Sequence, residues 1–130
     1  MLIFGHKFIQ NHPFYHVLNI DSILHTPPSS TIYLEFNEEN LEIIEHTKLN
    51  NISIALKIST LNELIFASAL GARYIMVPKE SAKEFQDIAE NYLFDAKILV
   101  NIEEDSEITE LALLGIDGVF YSNAIVKTNG

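Results

Sequence analysis

Between Thr31 and Tyr121 short apolar runs rich in β-branched residues alternate with stretches that carry helix caps and helix periodicity. No other feature of the chain constrains its fold as strongly. The runs are Thr31-Ile32-Tyr33-Leu34-Glu35-Phe36, Ile52 to Ile58, Tyr74-Ile75-Met76-Val77, Lys97-Ile98-Leu99-Val100-Asn101 and Gly118-Val119-Phe120-Tyr121. Strands of this length separated by single helices form βα units, and the helical crossover brings the chain back to the same end of the sheet. Successive strands therefore run parallel. The pattern predicts an α/β domain of repeated βα units on a mostly parallel sheet.

The helical stretches have their own start and stop signals. Thr60-Leu61-Asn62-Glu63 and Ser81-Ala82-Lys83-Glu84 both match a capping box, in which side chains satisfy N–H groups the first turn leaves free. Asn37 suits the cap of a helix containing Leu41 and Ile44, and a fourth helix is expected to begin near Asp105. Phe85, Ile88, Ala89 and Tyr92 follow the spacing of one buried stripe. Gly71 and Gly115 stand where two helices must stop, each in a Leu-Gly pair followed by a strand. Thr60 to Val77 and Glu104 to Tyr121 thus repeat one unit: capped helix, Leu-Gly stop, strand.

Residues 1–30 read differently. Ile3 to Ile9 and Phe14 to Ile20 resemble two short strands with Asn11-His12-Pro13 as a turn, which predicts an N-terminal β-hairpin-like segment. Thr26-Pro27-Pro28-Ser29-Ser30 separates it from the βα repeats of 31–130. A hairpin of that size buries no core alone, so the 130 residues are expected to form one domain.

Alternation within the strands predicts two unequal sheet faces. Ile52, Ile54, Leu56 and Ile58 make a heavy apolar face, while Ser53, Ala55 and Lys57 point the other way; Tyr33 and Glu35 likewise oppose Ile32, Leu34 and Phe36. Two architectures fit. One is half-barrel-like, with all helices outside and the lighter face left for the N-terminal segment or another subunit; the other is a flavodoxin-like open sheet. The stretch Leu61 to Leu70 is apolar nearly all round, as in a central core helix or at a homo-oligomer interface.

Charge narrows the partners. With 18 acids against 8 Lys plus Arg, a net charge of −10 and Arg73 as the sole arginine, the chain repels nucleic acid and anionic membranes. No apolar run approaches the ~20 residues of a membrane span, and the first residues carry no signal-peptide pattern. The absence of cysteine excludes disulfides, thiolate catalysis and cysteine-ligated metal centres. A cytoplasmic protein without a cofactor is expected, since no Walker loop, dinucleotide fingerprint or nucleophile elbow occurs. Of five histidines four fall in the first 25 residues, but His12 and His16 lie in strand and turn and no HExxH is present, so no metal site is expected.

In parallel α/β sheets ligands bind beyond the carboxyl ends of the strands. Glu35 and Lys57 are the catalytic candidates there, because a lysine beside a carboxylate can do acid–base or Schiff-base chemistry. The same two residues serve equally as a structural ion pair. Asn37, Thr60, Lys79, Asn101, Ser122 and Asn123 are the ligand-binding candidates, for a small phosphorylated ligand. Acids crowd the helix starts at Glu38-Glu39 and Glu103-Glu104-Asp105, which leaves Ser59-Thr60 and Ser122-Asn123 as the turns open to an anion.

Leu99-Val100-Asn101 through Leu114-Gly115-Ile116-Asp117-Gly118-Val119-Phe120-Tyr121-Ser122-Asn123 resembles the closing βα units of phosphate-binding TIM barrels, nearest the glycerophosphodiester phosphodiesterase family. Gly5-His6-Lys7 sits where that family has His-Arg-Gly, Glu35-Phe36-Asn37 is similar to its metal-binding Glu-x-Asp, and Lys57 to its strand-end lysine. The resemblance implies a barrel-like fold. Its arginine and aspartate are missing here, and its second histidine and further glutamate have no counterpart. The chain is also about half the ~250 residues of a full barrel. The function expected is a non-catalytic oligomerising or partner-binding module related to βα barrels. The alternative is an enzyme or binder of a small phosphorylated ligand, phosphodiesterase-like or aldolase-like, at the strand ends.

Overall fold

A computed structural model describes residues 1–128. Its strands are β1 (Leu2–Phe4), β2 (Phe14–His16), β3 (Thr31–Glu35), β4 (Ile54–Lys57), β5 (Tyr74–Val77), β6 (Lys97–Ile102), β7 (Gly118–Tyr121) and β8 (Ile125–Lys127). Its helices are α1 (Leu41–Leu49), α2 (Leu61–Ala69), α3 (Ala82–Asn91) and α4 (Ser106–Leu113). The sheet order is β1-β7-β6-β5-β4-β3-β2-β8, and every pairing is parallel. The four βα units from β3 to β7 lie side by side in chain order, as the alternation predicts. No helix among the described residues is long and apolar enough to cross a membrane.

Strand alternation sorts the core into two parts. Ile32, Leu34, Ile54, Leu56, Ile75, Ile98 and Val119 meet residues of all four helices, among them Ile44, Leu64, Phe85 and Leu111. The other sheet face gathers Phe4, Phe14, Tyr33, Ala55, Met76, Leu99 and Phe120, and none of α1 to α4 contributes a residue to that cluster. The half-barrel arrangement is therefore adopted and the open sheet is not. Curvature brings β1 and β2 together across the inner side, where the rings of Phe4 and Phe14 stand 4.8 Å apart. The stretch from β7 to β8 joins the edges: β7 pairs with β1, and β8, three residues later, pairs with β2. Burial inside the curl pushes the Tyr33 phenol up to about 12, with Glu35 adding to the effect.

The N-terminal strands form, but not as a hairpin. β1 pairs with β7 and β2 with β3 and β8, all in parallel, so β1 and β2 share no ladder. The reason is burial. Phe4 and Phe14 both need the inner face, and a two-stranded hairpin has no second layer to cover them.

All four helices stop in the same way. Asn51, Gly71, Leu93 and Gly115 take φ of 54°, 80°, 54° and 76°. In each case the next N–H reaches back to the carbonyl of Thr47, Ala67, Ala89 or Leu111. Two of these stops carry glycine, as their spacing predicts; Leu93 does so with a leucine that is 85% exposed. A leucine there bears the Cβ clash of the left-handed region without burying its side chain. Leu93→Gly is expected to raise unfolding free energy by about 1 kcal/mol, measured by urea denaturation.

The capping box forms at Thr60, whose Oγ1 accepts from the Glu63 N–H at 3.2 Å while Glu63 Oε1 accepts from the Thr60 N–H at 3.3 Å. Asn37 caps a 3-10 turn over Glu38–Asn40 that leads into α1, its Oδ1 accepting from the Asn40 N–H at 3.0 Å, while α1 itself, with Asn40 at its N-cap, has no side-chain cap. At Ser81 no box forms. A 3-10 turn over Lys79–Ser81 already leads into α3, and the Ser81 N–H is bound to the Pro78 carbonyl. The buried stripe of α3 also starts one turn early, at Ala82, Phe85, Gln86 and Ala89, while Tyr92 is exposed at the helix end.

Candidate functional site

Because every strand is parallel, all the carboxyl ends meet at one rim, and the polar candidates sit there for that reason. Glu35 and Lys57 are register partners at the ends of β3 and β4, with Oε1 and Nζ 3.9 Å apart. Each side chain is more than half exposed, 57% and 58%. Two solvated charges at this distance contribute less than about 1 kcal/mol. Lys57→Met combined with Glu35→Gln is expected to change stability by less than about 1 kcal/mol in urea titration, with unchanged circular dichroism.

The other candidates are distributed over structural contacts. Thr60 is engaged in its capping box and Asn37 in its turn. Lys79 is held by Glu107 at 2.8 Å and Glu110 at 3.3 Å, which raises its pKa and ties the turn before α3 to α4. In return that ammonium, helped by the N–H groups of Glu104 and Glu103, holds the Glu107 carboxyl down to about 2. Asn101 donates to the Phe120 carbonyl at 3.3 Å and to Ser122 Oγ at 3.4 Å, and Asn123 donates to the Gly5 carbonyl at 3.1 Å. Lys57, Lys79 and Asn101 do share a cavity of about 280 Å³ with Ser59 and Phe120, which Glu35 does not line.

One constellation escaped the sequence reading. Asp105, at the start of α4, accepts from the Tyr121 hydroxyl and from His6 Nε2, the latter at 3.2 Å. His6 Nδ1 accepts from the Phe8 N–H at 3.1 Å, which puts the imidazole proton on Nε2. Hydrogen bonds from Tyr121 and His6 hold the Asp105 carboxyl below its ordinary range, and the hydrogen bond to Asp105, with desolvation and the Asp105 charge adding to it, pushes the phenol up to about 12. The carboxylate is thus ionised, the phenol neutral and both imidazole nitrogens occupied. The trio fastens the ends of β1 and β7 to α4; it offers no free base beside a nucleophile. The strand-end rule that selects Asn101 and Ser122 also covers Tyr121 and Asp105, and would have found them.

Beside this trio the link between β1 and β2 and the turn after β7 line a cavity of about 790 Å³. His6, Lys7, Gln10, Asn11, His12 and Asn123 line it, and no Asp or Glu does. His16 lies elsewhere, edge-on to Tyr33 at 5.2 Å. No three side chains of metal-binding type gather among the described residues. Comparison with protein-family models finds no match to this chain, and comparison with curated proteins finds none either.

Proposed function

We propose that this chain is a cytoplasmic, non-catalytic βα module, a diverged relative of phosphate-binding βα barrels, that assembles with a second copy of itself through the outer face of α2. The observation that carries this reading is the composition of that face. Leu61, Ile65, Phe66 and Ala69 are all exposed, at spacings that place them on one side of the helix. Phe36 stacks on Phe66 at 6.2 Å and extends the apolar surface toward α1. The exposed positions of α2 carry no charge, whereas α3 exposes Lys83, Glu84 and Glu90. The half-buried Glu63 is turned back onto the N–H groups of Ser59 and Thr60. Two copies that each carry −10 repel through any acidic surface, and an uncharged helix face is where they meet at least electrostatic cost. Packing of Phe4 and Phe14 inside the curl supports the same reading, because it fills the space an enclosed ligand would need.

Sedimentation equilibrium of the wild type should show a dimer at micromolar concentration. Ile65→Glu with Phe66→Glu should weaken association at least about tenfold while leaving the circular dichroism spectrum unchanged. A wild type that stays monomeric at several hundred micromolar, or a double variant that dimerises equally well, rejects the proposal. A second reading, capture of a small phosphorylated ligand at the strand ends, is favoured by the cavity beside Lys7 and His12, which lacks carboxylates in an otherwise acidic chain. A thermal shift with glycerol phosphate that vanishes in Lys7→Gln would support it.

A further inference from the structure

The opposite end of the sheet, where the strands begin, carries a second polar cluster. Arg73, the sole arginine, directly precedes β5, and its guanidinium lies 5.5 Å over the ring of Tyr74. Tyr74 is itself held edge-on by Phe4 and Phe14, so the platform beneath the guanidinium is anchored in the inner core. Two cavities of about 460 and 550 Å³ adjoin here and share Asn51, Ile52, Ser53 and Arg73. Although the chain has 18 acids, none lines either cavity.

The hydroxyls of Thr26, Ser30, Thr47 and Ser53 in these cavities are hydrogen-bonded within the fold, but four other donors are unused. The side chains of Ser29, Lys48, Asn51 and Arg73 all line them, and none makes a hydrogen bond or ion pair with another described residue. Ser29 holds its hydroxyl there at φ 65°, in a turn closed by the Ser30 N–H on the Pro27 carbonyl, where glycine would fit without strain. Next to these donors the surface is apolar: Leu24, 84% exposed, and the rings of Pro27 and Pro28.

We propose that this groove binds the carboxylate of a small organic acid, whose hydrocarbon part lies on Leu24, Pro27 and Pro28. Arginine's planar fork accepts a carboxylate through two parallel hydrogen bonds, and Lys48 and Asn51 supply further donors around it. An inorganic phosphate would find the same donors but no use for the apolar surface, so the two sources of oxyanion are separable. The inference does not depend on assembly through α2, and the dimer-breaking variants should retain it.

The test is a titration of the ¹⁵N-labelled full chain with hexanoate, acetate, hexanol and inorganic phosphate, read by amide and Arg73 side-chain NMR signals. Hexanoate should shift Ser29, Asn51, Ser53 and Arg73, with acetate, hexanol and phosphate each at least about tenfold weaker. Arg73→Gln should lose hexanoate binding at least about tenfold with an unchanged thermal midpoint, because the guanidinium has no carboxylate partner among the described residues; Arg73→Lys should fall between. Shifts scattered over the surface, equal binding by Arg73→Gln, or phosphate binding as tightly as hexanoate would overturn the proposal.

Discussion

Phe14→Ala is expected to remove about 3–5 kcal/mol of unfolding free energy, a large share of the roughly 5–15 kcal/mol available to a domain of this size. Phe14 is 1% exposed, and its ring meets Phe4 at 4.8 Å, Tyr74 at 5.5 Å and Phe120 at 6.4 Å. Those partners come from β1, β5 and β7, so one ring bridges the curl from strands distant in sequence. Truncation leaves a cavity lined by rings that cannot collapse into it without flattening the sheet. Urea denaturation followed by circular dichroism measures the loss. Phe8→Ala is the control: that side chain is 80% exposed, and its removal should cost less than about 0.5 kcal/mol. Equal losses in the two variants would mean that the inner face is not a packed core.

Gly118→Val should destabilise the chain by about 3 kcal/mol, and should loosen β1 before anything else. Gly118 pairs with Leu2 at the start of β7. A Cβ at that position would lie 2.6 Å from Leu99 Cδ2 and 2.8 Å from both the Cβ and the carbonyl oxygen of Leu2. The leucine methyl can rotate aside, but the Leu2 carbonyl is backbone, so only displacement of β1 relieves the contact. The requirement at Gly118 is space, unlike Gly71 and Gly115, where an added Cβ meets nothing within 4 Å and the positive φ is the constraint. Hydrogen exchange reads the outcome. The Leu2 N–H, bound to the Asp117 carbonyl at 2.9 Å, should lose protection in the variant while the amides of β4 to β6 keep theirs. Uniform loss of protection across the sheet would contradict a local release of β1.

Much of the fold was legible because its signals are local. Thr60 with Glu63, Gly71 and Gly115 each mark a helix end through contacts within a few residues, and each does in the structure what its type and spacing predict. Where local reading failed, a competing contact had won. The Ser81 box lost to a 3-10 turn that had already taken the Ser81 N–H. The α3 stripe shifted because Gln86, polar by type, is buried with its Oε1 on the Asp117 N–H. Leu93 took a left-handed stop that no residue-type rule would place, whereas Asn51 is of the one type besides glycine that commonly does so.

The strand-end site was legible in part. Parallel strands put Glu35, Lys57, Asn101 and Ser122 at one rim whatever the curvature, and Glu35 faces Lys57 because consecutive strands are neighbours. The His6–Asp105 contact spans 99 positions, and nothing near either residue announces the other.

What the sequence by itself determined is the run of strands and helices from β3 to β7, their parallel direction and the face that meets the helices, since period-2 alternation and single-helix crossovers are properties of neighbouring residues. Only the tertiary structure decided where β1 and β2 belong. Locally they could pair with each other as well as with any other strand. The curled sheet settles it, because its inner face needs the rings of Phe4 and Phe14 and its free edges at β7 and β3 can bind the two strands only when they part.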